Sequence, residues 1–278
     1  MFKSFSRRTL AVTLVALAAV TFAAVAFANH SWNGYHWART SNPFTLKLGD
    51  NLTSADWKSH LRQTSSDWNA GRTPVQTTIV AGQSSSRKCS MVAGTTQVCN
   101  GTYGNNGWLG LASINISGTH ITQGTAKMND TYFNSSTYNN PNEREHVMCQ
   151  EVAHTFGLGH QDESGKSLNT CMDYFSNTGA NAGSTISTKP NQHDFDELKT
   201  IYAHLDSTTT LAASAASSQA NEVTDDPYSW GMLVSQSASG RSSVYEREHT
   251  DGTKTLTHVY WAAETAERCP GCDHRYDH

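Results

Sequence analysis

Eleven residues constrain this chain more than any other stretch: Gln150-Glu151-Val152-Ala153-His154-Thr155-Phe156-Gly157-Leu158-Gly159-His160. Residues four apart share one face of an α-helix, so Gln150 and His154 can address one metal ion. Glu151 stands one step round the helix, beside that ion, where it can serve as general base for a water held there. Gly157 lets the chain leave the helix in a conformation that strains other residues, and the turn then returns His160 as a third ligand. Three protein ligands and one open position make a catalytic zinc site. Gln150 contributes a neutral amide oxygen, so the set keeps the formal charge of three imidazoles with an expected loss of zinc affinity. His146 is no substitute. It lies eight residues before His154, roughly 12 Å along a helix axis, whereas ligand bonds are about 2 Å. A metal-free site whose residues merely pack remains the alternative.

The chain has 278 residues, which suits one medium-sized domain with an appendage. Residues 1–28 read as an export signal. Lys3, Arg7 and Arg8 precede an apolar run from Leu10, and Ala26-Phe27-Ala28 is a small-x-small cleavage site before Asn29. Without those residues 17 basic side chains face 24 acidic ones, a net charge of −7 that argues against a nucleic-acid surface. No second apolar run is long enough to span a bilayer, so no stable membrane anchor is expected after cleavage. A secreted, extracellular or periplasmic location follows. It favours disulfides among six cysteines that fall into three close groupings, Cys89 with Cys99, Cys149 with Cys171, and Cys269 with Cys272. The last pair also reads as a redox motif or, with His274 and His278, as a second zinc site; a structural bridge is the simpler reading.

Elsewhere the pattern alternates between helix and strand. Trp37 and Phe44 are expected to pack on the core. Thr53-Ser54-Ala55-Asp56 starts a helix carrying Trp57, Leu61 and Trp68. Strands are expected at Thr77–Ala81, Trp108–Ile116 and His120–Asn129. Asn140, Pro141 and Glu143 are start signals for the ligand helix. Phe195, Leu198, Ile201, Tyr202 and Leu205 recur at helical spacing. Asp162 and Glu163 read as solvated residues, with a structural cation as the alternative, and His120, His193 and His204 as surface or core histidines rather than ligands.

Cys171-Met172-Asp173-Tyr174 follows the ligand stretch. Together the two motifs resemble the metzincin zinc metalloproteases, whose signature H-E-x-x-H-x-x-G-x-x-H differs only in its first residue. The chain is similar in particular to bacterial secreted proteins described as matrixin-like, in which Gln stands at that position. The resemblance covers roughly residues 35–206. It implies an α+β fold: a twisted mixed sheet with an antiparallel edge strand, a zinc-ligand helix, a methionine turn and a C-terminal helix. It implies Zn2+ held by Gln150, His154 and His160, with Met172 beneath the metal and Glu151 as the catalytic base. Tyr174 would approach the metal or donate to the oxyanion. The strand His120–Asn129 would be the sheet edge that pairs with a protein or peptide substrate in extended form.

Four segments are therefore expected: a signal peptide at 1–28, a metzincin-like domain at 29–206, a Ser/Thr/Ala-rich linker at 207–226, and a small β-rich region at 227–278, with a hairpin turn at Asp251-Gly252. The favoured function is a secreted zinc-dependent endopeptidase. The rival is a catalytically inactive metzincin-fold protein acting as an extracellular binding module, and a metal other than zinc is a further alternative.

Overall fold

A computed structural model describes residues 30–212 and 224–276. The expected signal peptide and the middle of the expected linker, 213–223, lie outside the described residues.

The first third of the chain is built by a β-α-β unit. After β1 (His36–Trp37) comes β2 (Phe44–Asn51), then α1 (Ala55–Ala70), then β3 (Val75–Ala81), which pairs parallel with β2. Ser54 caps α1 by accepting from the Trp57 backbone N–H, and Trp57, Leu61 and Trp68 are the buried apolar side chains of its core face. β4 (Thr95–Gly101) adds parallel to the other side of β2, and β6 (His120–Asn129) parallel to β4. β5 (Trp108–Ser117) runs antiparallel to β6, and after the one-turn α2 (Asp130–Phe133) the chain enters α3 (Pro141–His154). Asn140 caps α3 with a 2.9 Å bond from the Glu143 N–H, and Pro141 takes its first turn. α4 (Gln192–Ile201) closes this part, with Leu198 and Ile201 buried.

The C-terminal residues extend the same sheet. β7 (Met232–Gln236), β8 (Ser242–Glu248) and β9 (Lys254–Trp261) form an antiparallel meander, followed by α5 (Ala263–Arg268). β9 pairs antiparallel with β5 from Trp108↔Trp261 to Ile116↔Lys254, so the strand order is β3-β2-β4-β6-β5-β9-β8-β7. This corrects the expectation for His120–Asn129. That strand is not an edge: β4 takes its hydrogen bonds on one side and β5 on the other. Nor is β5 free, because β9 covers it.

The two faces of β9 carry different cores, as period-2 alternation requires. Leu256 and Tyr260 join the main core with α1, α3 and the inner sheet face. Val259 and Trp261 join a second cluster with Trp108, Leu111, Trp230 and Tyr245. Lys127 of β6, fully buried, pairs with Asp225 at 3.2 Å and ties the return of the chain to the sheet. The three cysteine groupings are all disulfides. No described helix is long and apolar enough to cross a membrane.

Candidate metal centre

The turn after α3 is clamped from outside. Gly157 has φ +94, and a Cβ there would lie 2.0 Å from the Tyr35 carbonyl oxygen. The Trp32 N–H donates to Gly157 O at 2.6 Å, and Ser31 bridges Leu158. The N-terminal strap thus holds the loop that separates His154 from His160. On the other side Cys149–Cys171 staples α3 to the turn containing Met172. That turn is organised by Asp173, whose carboxylate accepts from the Leu168 and Phe175 N–H groups at 2.7 and 3.0 Å and from Ser187 Oγ at 2.8 Å. Met172 is fully buried, and its carbonyl accepts from the Gln161 N–H at 2.7 Å.

Between these clamps three imidazoles meet. His154 and His160 come from the expected motif, and the third, His258, comes from β9. His258 occupies the same face of β9 as Leu256 and Tyr260, opposite Ala112 of β5, and so points towards α3. The ring centroids of His154 and His258 are 4.0 Å apart, and His160 lies 4.6 Å from each. The Nε2 atoms of His154 and His160 are 3.0 Å apart. Tyr174 places its hydroxyl 2.8 Å from His160 Nε2 and 2.9 Å from His258 Nε2.

The other ring nitrogens fix the tautomers. His154 Nδ1 lies 2.8 Å from Leu158 O, His160 Nδ1 3.1 Å from Glu163 Oε1, and His258 Nδ1 3.3 Å from Glu151 Oε2. The Leu158 carbonyl, and each carboxyl group when ionised, can only accept, so opposite these partners a neutral imidazole carries its hydrogen on Nδ1 and presents a lone pair at Nε2. Three lone pairs converge with a single phenolic proton between them, and two go without a donor in a buried place. A divalent metal ion satisfies such a set, and a carbonyl or carboxylate behind each ligating histidine is the usual supporting shell. The residues fit the ion.

Burial governs the charges. It pushes His154 and His258 well below the ordinary histidine value, helped by the neighbouring histidines. Both are therefore neutral, as ligands must be. Burial raises the Glu151 carboxyl and the Tyr174 phenol well above their ordinary values, the phenol with help from Glu163. The hydrogen bond from His160 lowers Glu163.

Gln150 is fully buried on α3, one turn before His154. Its Nε2 donates to the carbonyls of Cys171 and Asp173 at 3.0 and 3.1 Å, and its Oε1 has no partner. Glu151 Oε1 is likewise buried without a partner. Gly110 of β5 makes room for it: a Cβ there would lie 2.6 Å from Glu151 Oε1. His146 bonds Asn177 and the Asp173 carbonyl and serves the turn, not the centre. A cavity of about 300 Å³ opens beside the cluster, lined by Trp32, His154, His160, Glu163, Val244 and His258 among others.

The structure thus adds two residues that the motif does not contain. Glu163 is exposed, as read from sequence, and also supports His160. His258 is isolated in a β-rich tail, and its only sequence signal is that it alternates with Leu256 and Tyr260 on an inward face.

No family model and no curated protein matches this chain. Among solved structures, one described as the structure of myroilysin is similar to it, with 12% sequence identity and a TM-score of 0.34, over 60% of this chain and 96% of that one. At that degree of overlap the chemistry of the site has to carry the functional reading.

Proposed function

We propose that this chain is an exported zinc-dependent endopeptidase of metzincin type whose third imidazole ligand is His258. The observation that carries this reading is the convergence of His154, His160 and His258, whose ligand atoms lie within 4.8 Å of one another, with the Tyr174 hydroxyl on His160 and His258 and Glu151 behind His258. Gln150 at the first motif position holds the Cys171–Asp173 turn through its amide nitrogen, and its Oε1, buried without a partner, is free to serve as a further donor should it reach the ion. Zinc would supply Lewis acidity to the scissile carbonyl and to a water molecule.

The chain's own groups do the rest. Glu151 keeps one carboxylate oxygen on His258 and has the other unpaired, so it can take a proton from the attacking water and return it to the leaving amine. Burial raises its basicity above that of an exposed carboxylate. Tyr174 stays protonated and donates to the oxyanion. An extended peptide cannot add to β6 or β5, since both are paired, so we place substrate entry at the cavity beside Trp32 and Glu163. Zinc content and peptide hydrolysis of the mature chain test this reading, with Glu151→Gln as the control. The variant should keep its zinc and lose about 10²–10⁴-fold in kcat; full turnover in Glu151→Gln would contradict the assigned base.

Coverage of β5 by β9 favours a second reading, in which the centre holds metal and the protein binds rather than cuts. A zinc-loaded chain that hydrolyses neither folded nor denatured protein would favour it.

A further inference from the structure

A second group of metal-type side chains lies outside the centre, where three separate segments meet. β1 and β6 pair in parallel with His36 opposite His120, so both imidazoles stand side by side on one face. The segment that leaves α4 brings His204 and Asp206 against them. We propose that His36, His120, His204 and Asp206 form a structural zinc site.

The geometry is that of a ligand set. His120 Nε2 is 3.2 Å, His36 Nε2 3.5 Å and His204 Nε2 3.6 Å from the same atom, Asp206 Oδ1. His36 Nε2 and His204 Nε2 are 3.0 Å apart. Four ligands around an ion at about 2 Å stand roughly 3.3 Å from one another in a tetrahedron; the three contacts to Asp206 Oδ1 and the His36–His204 pair match that spacing, and the ligand atoms of His36, His120 and Asp206 all lie within 4.8 Å of one another. The rings of His120 and His204 lie nearly perpendicular to that of His36, at 82° and 88°. They converge edge-on instead of stacking.

The supporting contacts agree. His36 Nδ1 is 2.8 Å from Gly34 O, which fixes the hydrogen there and leaves Nε2 as the lone pair. The second oxygen of Asp206 is taken by Arg39, through the guanidinium at 2.9 Å and the backbone N–H at 3.1 Å, so Oδ1 is the oxygen left to the site. Arg39 also offsets the carboxylate charge. Three imidazole nitrogens and one carboxylate oxygen suit zinc and not calcium or magnesium, which take oxygen donors. Four protein ligands close the shell, as in structural and unlike catalytic sites. An entry path exists, because the His204 side chain is 50% exposed.

Such an ion would fasten the N-terminal segment, the start of β6 and the exit of α4 at one point. The same neighbourhood reaches the turn after the ligand helix, because Tyr202 donates to Phe156 O at 2.8 Å.

The test is zinc stoichiometry of the mature chain and of His204→Ala, His160→Ala and the double variant, with folding checked by circular dichroism. His204 is half-exposed, so its truncation leaves the core intact. Wild type should hold two zinc ions, each single variant one, and the double variant none. In His160→Ala the zinc X-ray absorption edge should report nitrogen and oxygen neighbours, and chelation should lower its melting temperature. A His160→Ala chain that binds no zinc overturns the second site and leaves the proposed peptidase centre standing. A wild-type chain whose single zinc survives His160→Ala and is lost in His204→Ala does the reverse. Should His204→Ala misfold, the cobalt(II) spectrum of His160→Ala decides: tetrahedral bands support the site, and no binding overturns it.

Discussion

The two histidine clusters use the same side chains under opposite conditions. In the first, His154 and His258 are almost wholly buried, the supporting acceptors include Glu151 and Glu163, and two carboxyl or amide oxygens are left unpaired. In the second, His204 is half-exposed, the carboxylate is itself a ligand candidate, and Arg39 satisfies its remaining oxygen. The first therefore leaves buried oxygens unpaired and borders a cavity through its three histidines, and the second has its carboxylate fully engaged. Reactivity needs the unpaired arrangement and stability the engaged one.

The largest effect that would separate the clusters is expected from His258→Ala. It should remove the zinc of the first cluster together with peptide hydrolysis and leave the zinc of the second, as read by elemental analysis. Zinc and turnover both retained would return the third ligand position to Gln150. Next comes Cys149→Ser with Cys171→Ser. Their bridge closes 22 residues of sequence separation and should contribute about 3 kcal/mol to stability, measured by urea unfolding. The same change should loosen zinc at the first cluster only, since no disulfide joins the elements of the second.

A smaller loss is expected from Gly110→Ala. The new methyl would meet Glu151 Oε1 and Val147 at 2.6 Å, costing about 1–3 kcal/mol. It should lower kcat more than zinc content; an unaltered kcat would mean that the Glu151 carboxyl is not where chemistry occurs. The smallest effect concerns pH in the metal-free protein. Burial holds His258 well below 6.5 in the folded state, so the unfolded chain takes up the proton first. The stability this neutral side chain contributes is complete above pH 6.5 and is lost as pH falls below it. His258→Gln should therefore flatten the acid side of the stability profile, and an unchanged slope would show that His258 is not held neutral by burial.

Much of the fold was legible in local pattern. Asn140 caps its helix where expected, the Thr53–Asp56 stretch starts the first helix with Ser54 as the cap, and the three nearest-neighbour cysteine groupings are the bonds formed. The spacing of Glu151, His154, Gly157 and His160 depends on helical geometry and one glycine turn, both of which are local. Tyr174 lies within a few residues of the disulfide that positions it.

What sequence could not supply is pairing at long range. Nothing in residues 254–261 says that they lie beside 108–117, because a β-strand's partner is chosen by the whole sheet and not by its own alternation. That choice brought His258 to the candidate metal centre; likewise β4 and β5 enclosed the edge expected of His120–Asn129, and the pairing of β1 with β6 set His36 beside His120 near His204 and Asp206. By itself the sequence determined the local chemistry: a helix with ligands four apart, a turn, a staple, an inward face on each strand. Only the tertiary structure decided which lone pairs meet, because metal ligands are joined through space and the chain between them carries no trace of the distance.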